Sequence, residues 1–312
     1  MYTKKKVKTL LRAFLCLFIL VLVFLDPHKT GITASNVSPQ LQQNTNNANG
    51  TIVFSSDRSG DDGGYDIYVM SINGRNIQRL TQSTGADRWP VWSPDGSHIA
   101  FTSDREGNHQ VYVMNADGSG VKRLTTYYKY DRPTWSPDGK RIAFHSNRDG
   151  TEEIYVVNVD GSEEKRLSIF EGNKRSPCWC PDGSLIAFSM EVNGQSGICV
   201  MNANGSNYRL LGTIEGGLFS PHWSKDGSKI VMNGVVNGII KIYVMNADGS
   251  DIRCLTSRLN HDEFPRWSPE GKWIVYDYHG NSHDISVIDA DGTNQWFLTN
   301  DEYNDMMPDW KP

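Results

Sequence analysis

The chain has 312 residues, with 31 basic and 36 acidic side chains and a net charge of −5. That acidic balance excludes a protein whose affinity comes from neutralising phosphates, so no nucleic-acid partner is expected. Cys178 and Cys180 form a Cys-x-Cys with no second pair of ligands, which argues against a zinc framework.

In chain order, Lys4, Lys5, Lys6, Lys8 and Arg12 precede an apolar run from Ala13 to Leu25 that stops at Asp26. A helix of that length spans about 20 Å, short of a bilayer core of about 30 Å. A basic start, a short apolar run and small residues near Ala34 predict an export signal over residues 1–34, with a retained short membrane anchor as the alternative. Cys16 has no small residue before it and is not read as a lipidation site. Residues 35–49 are polar, uncharged and almost free of hydrophobes, which predicts a disordered linker. Without residues 1–34, 25 basic and 35 acidic side chains remain, a net charge of −10. That charge suits an exported soluble protein (periplasmic, cell-surface or secreted) that meets basic or neutral partners.

From Thr51 onward the chain repeats. Pro-x-Trp triplets begin at Pro90, Pro133, Pro177, Pro221, Pro265 and Pro308, with gaps of 43, 44, 44, 44 and 43 residues. In the copy from Asp131 to Ser168 the apolar clusters are short: Pro133–Trp135, Ile142–Phe144, Ile154–Val157 and a last one around Leu167. They are rich in β-branched and aromatic residues and too short for helical periodicity, so they read as strands. Ser136-Pro137-Asp138-Gly139 and Asp160-Gly161 supply the turns, proline presetting φ and glycine accepting a positive φ. Each repeat is therefore a four-stranded antiparallel unit of the size of a propeller blade, for which about 40–45 residues are expected.

Residues 50–312 hold six such units. Thr51–Thr81 supplies the second to fourth strands of a blade, and Pro308–Trp310 supplies a first strand with nothing after it. The predicted fold is an all-β six-bladed propeller, its ring closed by pairing the C-terminal strand with the N-terminal ones, which removes two exposed edges. A monomer is expected.

The unit Pro-x-Trp-Ser-Pro-Asp-Gly-x-x-Ile-Ala-Phe, followed by Ile-Tyr-Val-Met-Asn-Ala-Asp-Gly-Ser and Arg-Leu-Thr, resembles the WD-repeat-like propeller repeat of the TolB carboxy-terminal domain. The resemblance covers residues 50–312 and implies an exported propeller that binds protein partners. TolB-like proteins carry an α/β domain before the propeller, and here residues 35–49 stand in that place. Related propellers also precede prolyl-oligopeptidase-type catalytic domains, but no Gly-x-Ser-x-Gly nucleophile elbow occurs in this sequence.

Comparing the six copies separates scaffold from candidate site. Trp92, Trp135, Trp179, Trp223, Trp267 and Trp310 recur at one position, which argues for packing between blades. Asp-Gly turns such as Asn115-Ala-Asp117-Gly118 resemble the start of a calcium loop but lack its distal glutamate, so turn chemistry explains them. The four later cysteines are read as small packing residues. His98, His109, His145, His222, His261, His279 and His283 show no metal-ligand spacing.

The connection entering each first strand varies, and it lies at the channel mouth. Three before the proline stand Asp87, Tyr130, Lys174, Leu218, Asp262 and Asp305; two before it stand Arg88, Asp131, Arg175, Phe219, Glu263 and Met306. Asp87, Asp131, Asp262, Glu263 and Asp305 form an acidic arc, and Lys174 and Arg175 with Leu218 and Phe219 a basic-to-apolar one. With Arg88, the eight charged residues are the candidate docking rim for a protein or peptide. The expected function is a non-enzymatic exported scaffold with no cofactor, calcium having only weak support. The rival reading is a calcium-dependent lactonase or sugar-acid lyase, with Asp87, Asp262 and Asp305 as ligands and His222 or Arg266 as acid–base or electrostatic groups.

Overall fold

The computed structural model describes residues 50–60, 64–126, 130–192 and 194–312, without the side chains of Tyr130, Asp131 and Val192. The expected export signal (1–34) and linker (35–49) lie outside the described residues. All regular structure among the described residues is β-strand, in six separate four-stranded antiparallel sheets. Blade 2 is representative: Asp87–Trp92, His98–Ser103, Gln110–Asn115 and Lys122–Arg123 pair in chain order. Blades 3 to 6 begin at Tyr130, Lys174, Leu218 and His261. Blade 1 joins the two ends of the repeat region, with Asp305–Trp310 paired to Thr51–Ser56 and Lys311 N donating to Thr51 O at 2.8 Å. The first strands touch their neighbours all the way round and form the channel wall.

Local chemistry sets each piece. In the Ser136–Gly139 turn Gly139 takes φ +67° and donates its N–H to Ser136 O at 2.9 Å, while Asp138 Oδ1 accepts from Lys140 N at 3.1 Å. Asp117 accepts from the Ser119 hydroxyl at 2.6 Å and from the Ser119 N–H at 2.9 Å, and these bonds, the hydroxyl's first, hold its carboxyl below the usual range. In five blades a hydroxyl at the end of the Arg-Leu-Thr-like stretch caps the third strand, as when Thr81 Oγ1 accepts from Ile67 N and Thr125 Oγ1 from Val111 N. The fourth strand is two residues long in five blades and extends to Arg209–Thr213 only in blade 4, where Gly212 replaces the capping hydroxyl and pairs with Ile198.

The core lies between the blades. Trp135 packs on Val91, Ala100 and Val111 of the preceding blade, and its Nε1 donates to Val91 O at 3.2 Å. Trp179, Trp223 and Trp267 occupy the same place one blade further on. All six repeat tryptophans are buried. Cys178, Cys180 and Cys199 are packed inside as expected; Cys254 is exposed, because it sits on a short outer strand with no blade beyond it.

Candidate functional site

Every first strand carries a bulge at one position. Between Arg88 and Val91 the register advances three residues while the second strand advances two, and the same slip recurs in all six blades. The residue before each proline absorbs it with a left-handed backbone: Trp89, Arg132, Ser176, Ser220, Phe264 and Met307 have φ between 53° and 59°. Non-glycine residues pay about 1–2 kcal/mol for that conformation, so six in register mark a built feature.

The bulge brings these side chains together across the channel. The Arg132 guanidinium lies 4.3 Å from the Trp89 ring centre and 4.7 Å from that of Phe264, and the two rings meet edge to face at 4.6 Å. Its Nη1 donates to Ser176 Oγ at 2.6 Å and also to Ser220 Oγ. Residues of blades 2, 3, 4, 5 and 6 thus meet at one cation, which floors the channel.

Below that floor lies a cavity of about 150 Å³. Its wall includes the middle residues of the Pro-x-Trp triplets: Val91, Thr134, Cys178, His222, Arg266 and Asp309. Arg266 and Asp309 approach to 3.7 Å across adjacent blades, and Asp309 also accepts from Trp92 N at 2.9 Å. Burial pushes the Asp309 carboxyl up to about 6 against the pull of Arg266. His222 Nδ1 accepts from Trp267 N at 3.3 Å; burial, and then Arg266, push its imidazole well below the usual range. Small-molecule sites usually enclose about 300–1,000 Å³, roughly two to seven times this space.

Above the floor lies the sequence-predicted rim, and the structure divides it. Asp87, Lys174, Asp262 and Asp305 have no exposed surface. Two are held within their own blade: both oxygens of Asp87 accept from Arg105 Nη2, at 2.8 and 2.9 Å, and Asp305 pairs with Arg58 at 2.5 Å. Lys174 pairs with Glu153 of the preceding blade, and Asp262 lies 3.7 Å from Lys241 of its own preceding blade. Burial raises the Asp262 and Asp305 carboxyls. The ligand atoms of Asp87, Asp262 and Asp305 do not gather within 4.8 Å of one another.

The residues two before each proline stay nearer solvent. Arg175 is exposed and pairs with Glu152; Arg88 is half-buried over the Tyr65 ring at 4.5 Å; Glu263 is half-buried, with its carboxyl raised by burial against Arg132. Asp131 lies outside the described side chains. Ile169 and Leu259, on the connections that enter blades 4 and 6, are 83% and 86% exposed.

One grouping comes only from the fold. Asp277, His279 and His283 place a ligand atom each within 4.8 Å of the others, beside Glu263. Asp277 and His279 are two apart on one strand and so share a face, and the hairpin pairs His279 with His283. The Asp-x-His spacing and the short turn over residues 280–282 are the signal a sequence reader could use.

Residues 29–132 and 127–312 match the family model of the TolB beta propeller domain. Among solved structures, TolB from Acinetobacter baumannii superposes with a TM-score of 0.75 at 22% identity, over 84% of this chain and 67% of that one. A protein assigned as TolB from Agrobacterium tumefaciens gives 0.65 at 22% identity, over 80% of this chain and 88% of that one. Kuenenia stuttgartiensis hydrazine synthase gives 0.70 at 16% identity, over 85% of this chain and 47% of that one. At these identities the structural likeness concerns the fold, which proteins of different roles share.

Proposed function

The chain belongs to the TolB beta propeller domain family, and on that footing we propose that it is an exported scaffold that binds a protein or peptide segment at the channel mouth where the first strands begin. The observation that carries this reading is the floor at Arg132, which makes the mouth a blind depression. A floored channel mouth with exposed apolar side chains on the connections that enter the blades suits a docked segment. Arg175 supplies charge at that mouth, and Ile169 and Leu259 supply large apolar side chains open to a partner. Asp87, Lys174, Asp262 and Asp305 then act beneath the surface, fixing the blades that present it.

The test is a cross-linking capture from the exported fraction. Wild type is run beside a variant carrying Arg175→Glu, Ile169→Ser and Leu259→Ser, all exposed positions whose change leaves the fold intact. A protein held by wild type and lost by the folded variant supports docking at this mouth. Identical capture by both forms, or capture by neither, overturns it.

A further inference from the structure

Blade 6 holds a set of nitrogen and oxygen donors that the docking reading leaves unused. Asp277 Oδ1 lies 3.3 Å from His283 Nδ1 and 3.6 Å from His279 Nε2, and His279 Nε2 lies 3.9 Å from Glu263 Oε2. Ligand bonds of about 2.0–2.1 Å in a tetrahedral shell separate neighbouring donor atoms by about 3.4 Å, so these spacings are those of a coordination shell. The Asp277 side chain has no exposed surface, yet its Oδ2 has no hydrogen-bond partner, and neither has the buried Nε2 of His279. Buried polar atoms normally find partners; Asp277 Oδ1 has one in His283 Nδ1, whereas His279 Nε2 has none although it faces Asp277 Oδ1 and Glu263 Oε2.

We propose that Asp277, His279 and His283 bind one divalent transition-metal ion, with Glu263 completing the shell. Two imidazoles and two carboxylates are the donor chemistry of zinc and its first-row neighbours; calcium and magnesium take oxygen ligands. The two carboxylates balance the charge of a divalent ion. The fold supplies the set from three adjacent strands: Glu263 pairs with Asp277, and His279 with His283, in continuous register. The His279 and His283 side chains are 26% and 31% exposed, which leaves the ion a way in from the mouth.

The experiment titrates the chelator-stripped full chain with Zn²⁺ against a chromophoric competitor. One equivalent of tight zinc is expected, undisturbed by excess Ca²⁺ or Mg²⁺. Loss of second-shell partners alone costs about 10–100-fold in affinity, so removing a direct ligand by His279→Gln or His283→Gln should cost at least about 100-fold. His109→Gln, at a histidine outside the cluster, should change nothing. Circular dichroism confirms that each variant is folded, and the melting temperature should rise with zinc in wild type but not in the ligand variants. If one variant fails to fold, the other carries the test. No stoichiometric zinc, or zinc retained at full affinity by a folded ligand variant, overturns the assignment.

Discussion

Lys174 meets Glu153 across the seam between blades 3 and 4, Nζ 3.1 Å from Oε2, with neither side chain open to water. At the seam between blades 5 and 6 the same two positions hold Lys241 and Asp262, the signs exchanged. Between blades 4 and 5 they hold Gly197 and Leu218, with no charge at all. Removing one partner of a buried pair strands the other charge, so Lys174→Ala should cost roughly 3–5 kcal/mol. The exchanged double substitution Glu153→Lys with Lys174→Asp should recover a large part of that loss. Urea unfolding of the three proteins checks both statements; a single substitution as stable as wild type sinks the first.

Trp135→Ala removes a buried ring from the seam between blades 2 and 3, together with its bond to Val91 O. Large-to-small changes of this kind cost roughly 3–5 kcal/mol. A melt within a degree or two of wild type would contradict the packing role.

Arg132→Ala deletes the cation at the channel floor. Two ring contacts and two hydroxyl bonds are lost, and one such ring contact alone contributes about 0.5–2 kcal/mol. Trp89 should become more open to acrylamide quenching, and the melting temperature should fall. Unchanged quenching would mean that the floor does not depend on Arg132.

Asp284 is buried at the seam between blades 6 and 1, where burial first, then Asp305 and Asp301, push its carboxyl up to about 7. The folded chain therefore holds a proton that the unfolded chain releases near pH 4. This group's contribution to stability is greatest below pH 4 and is lost as the pH rises through 7. Asp284→Asn, which keeps the neutral form, should match wild type at pH 4 and melt higher at pH 8. A shift of roughly 2–4 °C corresponds to about 1 kcal/mol in a domain of this size. Equal melting temperatures at pH 8 would refute it.

The period, the turns and the tryptophan positions make the ring legible in the sequence, because each repeats a local requirement six times. The rim is harder to read. Whether Asp87 or Arg88 meets solvent depends on a strand's alternation, and the bulge at Trp89 resets that alternation without leaving a fixed residue type: tryptophan, arginine, serine, phenylalanine and methionine all fill the position. The seam pairs need two columns of the repeat read against each other across neighbouring copies, Glu153 with Lys174 and Lys241 with Asp262. The histidine cluster needs a hairpin register, His279 against His283, that four-residue spacing alone does not announce.

The pairing of Thr51–Ser56 with Asp305–Trp310 also has a temporal side. Synthesis runs from the first strand to the last, so the sheet begun earliest is the one finished latest. Blades 2 to 6 and the four interfaces among them can assemble in order, but the two interfaces that flank blade 1 are complete only when residue 310 has emerged. Until then the ring has two open lips, and its final stability arrives in one step, with the last strand.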